Sequence, residues 1–161
     1  MKTCSAISLS GGQGKTTTIF FTALLLAQQG HKVLAVDADP QANLTFYLNH
    51  DVQPDEPSLF EVLTREVKVE DGIYETQYEN LFIIPSDTGL FKVADRLSSS
   101  GAGAFALKRC LKDVADLFDY VLIDVQPSRS QVSLTAAGAS NHVIVPVEAN
   151  VKGVNSLVET L

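Results

Sequence analysis

The sequence predicts an α/β fold, a mostly parallel twisted sheet with helices on both faces. Three observations carry that prediction. Apolar runs without polar alternation recur along the chain and end in Asp, Pro, Ser or Glu, as strands buried on both faces do. Helical stretches separate these runs, so the connections read as βαβ crossovers. The first run leads at once into "SGGQGKT", residues 10–16, a glycine-rich turn placed between a strand and a helix.

Each element follows in order. "TCSAISL" (3–9) is the first strand, and "TTTIFFTALLLAQQG" (16–30) the first helix, stopped by Gly30. "KVLAVDAD" (32–39) is the second strand, and "SLFEVLTRE" (58–66) forms a helix after Pro57. "NLFIIPS" (80–86) is a third strand, and "SSSGAG" (98–103) reads as a loop between helices. "FALKRCLKDVADLF" (105–118) is helical, "DYVLIDVQP" (119–127) and "NHVIVPVEA" (141–149) are strands, and "VKGVNSLVETL" (151–161) begins a helix without a stop signal. The whole, residues 1–161, reads as a single domain cut short at its C-terminal end. Its sheet is expected to keep an apolar edge or face uncovered.

Composition narrows the function. With 45% hydrophobic and 19% charged residues, the chain is an ordinary globular one. No apolar run reaches the roughly 18 residues that would span a bilayer, so the expectation is a cytoplasmic protein with no membrane partner. Cys4 and Cys110 stand far apart, and His31, His50 and His142 are isolated; none has a metal-ligand spacing. A net charge of -7 argues against this stretch being a strong nucleic-acid binder. Its one small basic cluster, Lys108, Arg109 and Lys112, fits a solvated helix face.

The chemistry sits at strand ends. Gly11, Gly12 and Gly14 can turn backbone N–H groups inward around an anion, and the following helix points its positive end at the same place. Lys15 would reach the β- and γ-phosphates of a nucleotide, and the Thr16 hydroxyl would coordinate Mg²⁺. A strict Gly-x-x-x-x-Gly-Lys-Thr would put its first glycine on Leu9. Asp37 and Asp39 close the second strand, and Asp124 closes a later one, where a carboxylate can hold Mg²⁺ through water. A lone strand-end Asp commonly caps a helix or opens a turn. Several converging on a phosphate loop are a stronger signal.

These residues resemble the ParA/MinD family of deviant Walker-type P-loop ATPases, whose loop reads Lys-Gly-Gly-x-Gly-Lys-Thr. The likeness runs through "VLAVDADPQAN", "NLFIIPS", "YVLIDVQPS" and "VIVPVEAN", and Asp-Pro-Gln with "LFEVLTRE" favours the ParA branch. The resemblance implies ATP with Mg²⁺ as cofactors and a homodimer with the nucleotides sandwiched between subunits. It also implies ATP hydrolysis stimulated by a cargo-adaptor protein, and a nucleoid-associated protein holding nonspecific DNA through regions largely beyond this chain. By position, Ser10, Gly11, Gly12, Gln13, Gly14, Lys15, Thr16 and Thr17 would bind the nucleotide. Thr16, Asp37 and Asp124 would serve the metal, and Asp39 would position the attacking water.

Two departures stand out. Gln126 replaces a proline usual after the second strand-end carboxylate. Ser10 replaces the signature lysine that reaches the partner's nucleotide, a variant that resembles the carboxysome-positioning McdA subgroup. Serine offers a hydrogen bond but no charge, so another cation must approach the γ-phosphate. Lys152, just past the strand "HVIVPVEA", is the expected substitute, with Arg129 the runner-up. A degenerate scaffold without turnover and a metabolic ligase or kinase on the same fold are the competing functions.

Overall fold

The computed structural model describes residues 1–98 and 103–161. Most of the expected 98–103 loop therefore lies outside the described residues. A six-stranded sheet organises the chain: β1 (Lys2–Ala6), β2 (Val33–Ala38), β3 (Tyr74–Glu75), β4 (Leu81–Ile84), β5 (Tyr120–Val125) and β6 (His142–Ile144). Their spatial order is β3-β4-β2-β5-β1-β6. All pairings are parallel except that of β3 with β4. The antiparallel β3 has two residues, too few for any period to show in a sequence.

The α-helices are α1 (Lys15–Gln28), α2 (Asn43–Tyr47), α3 (Leu59–Thr64), α4 (Val93–Ser98), α5 (Ala106–Asp113), α6 (Gln131–Ala139) and α7 (Val151–Thr160). They divide the core in two. On one face α1 and α2 bury Ile19, Ala23 and Leu44 against Ala35, Ile83 and Leu122. On the other, α3 to α6 bury Leu59, Leu107 and Val132 against Leu34, Val36 and Ile123. Every residue of β2 is buried, which is why its sequence shows no alternation.

Boundaries differ from the sequence reading at two strands. β1 stops at Ala6, with a last ladder bond from Ile7 N to Ile144 O at 2.9 Å, and residues 7–10 turn into the loop. β6 stops at Ile144 although the apolar run continues to Val147. Pro146 has no N–H to donate to a ladder. On the far side of β6 no strand pairs with it among the described residues, and Val143 is 48% exposed. No described helix is long and apolar enough to cross a membrane.

Candidate functional site

Parallel order places the carboxyl ends of β1, β2 and β5 side by side, where ligands bind in open α/β sheets. The β1–α1 connection crosses those ends. Gly12 (φ 76°) and Gly14 (φ 79°) take left-handed backbone conformations that L side chains rarely adopt. Gly14 is also the N-cap of α1 and uses no side chain for the purpose. The first N–H groups of a 14-residue helix therefore open onto the loop.

Lys15 opens the helix and is buried. Its Nζ donates to the Ser10 carbonyl at 3.4 Å. Burial pulls its ammonium below the usual lysine pKa, while Asp124 and Asp39 pull it back. All three charges thus share one locale. Asp124 is 1% exposed, and neither of its oxygens accepts a hydrogen bond of ordinary geometry among the described residues. Burial pushes its carboxyl up to about 6, tempered by Thr16. An unpaired buried carboxylate is costly unless a cation meets it. No set of three His, Cys, Asp or Glu stands ready to hold a metal alone among the described residues. A metal here would meet the Thr16 hydroxyl and the Asp124 carboxylate.

Asp37 and Asp124 are register partners on adjacent strands, yet their environments differ. Asp37 Oδ2 accepts from both the N–H and the hydroxyl of Thr45, each at 2.8 Å. Its Oδ1 accepts from Asp39 N at 3.1 Å. Burial, with Asp124 adding to it, lifts Asp37 to about 7 despite those bonds. The carboxylate is thus occupied in tying α2 and the Asp39 backbone to β2, an occupation the expected metal role does not include. Thr45 extends the tie, its hydroxyl accepting from Ser86 N at 3.0 Å beyond β4. No local motif marks Thr45 in the sequence.

Asp39 is 8% exposed; one oxygen accepts from Gln41 N at 2.9 Å. Three residues on, Ala42 holds a left-handed conformation (φ 55°) as the N-cap of α2. Such strain in a non-glycine residue persists where surroundings enforce it, often beside a functional group.

The remaining sequence-chosen residues fall around α7. Gln13 is buried, and its Oε1 accepts from Glu148 N at 3.0 Å. Ser8 and Ser156 hydroxyls meet at 3.0 Å, and Leu9 N donates to Thr160 Oγ1 at 3.2 Å. These contacts lay α7 along the phosphate loop, and Gly153 permits it: a Cβ there would sit 2.0 Å from Glu148 O. Asn150 caps the helix by accepting from Gly153 N at 2.8 Å. Lys152 therefore stands exposed on the first turn of α7, at the end latched through Gln13. Arg129 donates instead to Glu159 O at 2.9 Å, at the other end of the helix. Gly11 and Thr17 are exposed.

Comparison with known proteins adds a family. A family model described as "AAA domain" matches residues 1–161. The chain is 50% identical over 161 residues to the maintenance of carboxysome distribution protein A of Gloeothece citriformis, covering all of this chain and 62% of that protein. It is 32% identical over 156 residues to the chromosome partitioning protein ParA of Caulobacter vibrioides, covering 94% of this chain and 58% of that one. Among solved structures, an Asp-to-Ala variant of Cyanothece McdA in complex with ATP superposes with TM-score 0.96 at 49% identity, over 99% of this chain and 61% of that one. Cobyrinic acid a,c-diamide synthase from Mycobacterium smegmatis, with a bound ATP analogue and magnesium, gives TM-score 0.92 at 32% identity over 99% and 66%. The chain thus spans about three-fifths of the length of these two curated relatives.

Proposed function

From the premise that this chain belongs to the ParA/MinD-type AAA-domain family, we propose that it is the ATPase domain of a positioning protein of the carboxysome-distribution kind. It binds ATP with Mg²⁺, pairs with a second copy around the nucleotides, and hydrolyses ATP when a cargo adaptor stimulates it. The observation that carries this reading is the unpaired buried carboxylate of Asp124 beside Lys15 and Thr16 at the mouth of a left-handed glycine loop. That donor set suits a hard divalent cation.

The roles divide by environment. The glycine loop and the α1 N-terminus receive the phosphates, and Lys15 neutralises their charge. Thr16 and Asp124 would hold the metal, which would supply charge neutralisation for the phosphates. Asp37, with its oxygens committed, acts on position: it holds the backbone of Asp39, whose carboxylate orients the attacking water. Lys152 provides the cation that Ser10 lacks, reaching the partner subunit's nucleotide from the first turn of α7. Its placement beside a helix N-terminus, where a cation gains nothing from the dipole, and Arg129's engagement elsewhere support that choice. Nonspecific DNA is held by parts of the protein outside these residues, in keeping with the net charge of -7.

Phosphoryl transfer rests on positioning and electrostatics, so Asp39→Ala should bind ATP normally and lose turnover by about two orders of magnitude or more. Turnover at the wild-type rate in that variant would move the water-orienting role elsewhere.

A further inference from the structure

β2 and β5 end level with each other. Ala38 and Val125 are the last register partners of the two strands, so Asp39 and Gln126 are the first residues past the ladder on neighbouring chains. Neighbouring strands run about 5 Å apart, and both chains leave the sheet at the carboxyl end that the phosphate loop crosses. Gln126 is half-buried there. The segment it opens lies against that loop: a Cβ on Gly11 would meet Pro127 Cγ at 4.0 Å.

Gln126 is held by backbone and side chain. Its carbonyl accepts from Ser128 N at 2.8 Å, closing a tight turn. Its Nε2 donates to Ser130 Oγ at 2.9 Å. Ser130 is a fixed anchor, because it is the N-cap of α6 and its Oγ also accepts from Ser133 N at 3.2 Å. The Ser130 hydroxyl hydrogen can be given to Ser133 Oγ, 3.1 Å away, which leaves Ser130 an acceptor towards Gln126. The amide is thereby oriented, with its NH₂ on the α6 cap and Oε1 turned from it. Oε1 accepts no hydrogen bond among the described residues. A proline at this position, usual in the family, could offer neither the anchored donor nor the open acceptor.

A water held by one acceptor still swings about that bond. Asp39 already has one oxygen engaged by Gln41 N at 2.9 Å. A second acceptor on the next strand changes this. With one hydrogen given to Asp39 and the other to Gln126 Oε1, the lone pairs of the water are aimed one way, and aim is what phosphoryl transfer demands of a nucleophile.

We propose that Gln126 is a second catalytic acceptor for the attacking water, paired with Asp39 across the ends of β2 and β5. The role rests on the ATPase reading above. In the step, the water oxygen bonds to the γ-phosphorus as the bond to the β–γ bridging oxygen breaks. ADP leaves with that oxygen, and both water hydrogens leave on the inorganic phosphate. An amide oxygen is too weak a base to keep a proton, so Gln126 orients and does not transfer.

Single-turnover hydrolysis of γ-labelled ATP, with affinity measured separately by fluorescent-nucleotide titration, tests this in wild type, Gln126→Leu, Gln126→Glu and Ser130→Ala. Gln126→Leu should bind ATP within about twofold of wild type and hydrolyse it about tenfold or more slowly. Gln126→Glu, closer in shape, restores an acceptor; its rate should exceed that of Gln126→Leu and rise with pH as the new carboxyl ionises. Ser130→Ala cuts the anchor and leaves Oε1 in place, so its loss should be about threefold or less. A wild-type rate in Gln126→Leu overturns the proposal, as does a Gln126→Glu that is no faster than Gln126→Leu at any pH. A loss in Ser130→Ala as large as that in Gln126→Leu also overturns it, reducing Gln126 to a tie between β5 and α6. Wild type that binds ATP without hydrolysing it would refute the ATPase reading itself, and the role of Gln126 with it.

Discussion

β1 has β5 on one side and β6 on the other, and the two sides differ in burial, length and chemistry. β5 is buried from Val121 to Val125 and delivers Asp124 into a site closed on both faces. β6 has three residues, two of them exposed, and the helix that follows presents Val151, Val154 and Val158 to solvent at 77%, 55% and 71%. The closed side holds groups that must not move: Lys15, Asp37, Asp124 and, through Asp37, Asp39. The open side holds Lys152, a flexible cation on a short helix latched to the phosphate loop by Gln13, Ser8 and Leu9. The proposed supply of one charge by a second copy suits that division into a rigid cradle and an exposed arm.

The sharpest way to break the comparison is to delete apolar atoms on each side. Ile123→Ala on β5 removes a fully buried side chain and should cost about 2–5 kcal/mol of stability. Val158→Ala on α7 should change it by less than about 0.5 kcal/mol. Urea denaturation of both variants gives the ratio, and equal losses would erase the distinction.

Next in size is a pH effect confined to the closed side. Folding raises the carboxyl of Asp124 from 3.8 to about 6, so the folded protein binds that proton more tightly than the unfolded chain does. The sign follows from linkage: the stability so conferred is complete below about pH 4 and is lost as pH rises through about 6. Wild type measured against Asp124→Asn should therefore lose on the order of 2–3 kcal/mol between those limits. Asp37, lifted from 3.8 to about 7, behaves with the same sign over a window extending one step higher. Wild type that holds or gains stability relative to Asp124→Asn as pH rises would show that these carboxylates are not destabilised by burial.

Smaller still is the tie between α2 and β4. Thr45→Val keeps the side-chain shape and removes both the donor to Asp37 and the acceptor for Ser86 N. A loss of about 1–3 kcal/mol is expected, with ATP affinity retained and turnover reduced. Unchanged turnover would confine Thr45 to a structural role.

Much of the closed side was legible in the sequence because burial on both faces leaves long apolar runs. "VLAVDA" and "YVLIDV" read as strands for that reason, and Gly14 and Gly30, both at positive φ, mark the ends of α1 closely. Lys15, Thr16 and Asp124 stand out because loop glycines and strand-end carboxylates form local patterns. The contacts that finish the site are long-range and leave no such trace. Gln13 meets Glu148 across 135 residues and Ser8 meets Ser156 across 148, and the Asp37–Thr45 pair hides between a strand and a five-residue helix. On the open side the run "HVIVPVEA" overstates β6, since hydropathy does not register that Pro146 withholds a ladder donor. Exposure of Phe46 was equally unreadable, because an aromatic residue beside Leu44 and Leu48 in a short amphipathic turn has the pattern of a core residue.

In the proposed dimer, Lys152 on the open side completes the site of another subunit. Sedimentation velocity of wild type and Lys152→Ala, each with and without ATP and Mg²⁺, tests it most directly when paired with a fluorescent-nucleotide titration. Wild type should dimerise with ATP, while the variant should bind the nucleotide about as well and remain a monomer with little turnover; Lys152→Ala that dimerises and hydrolyses ATP like wild type would contradict the account.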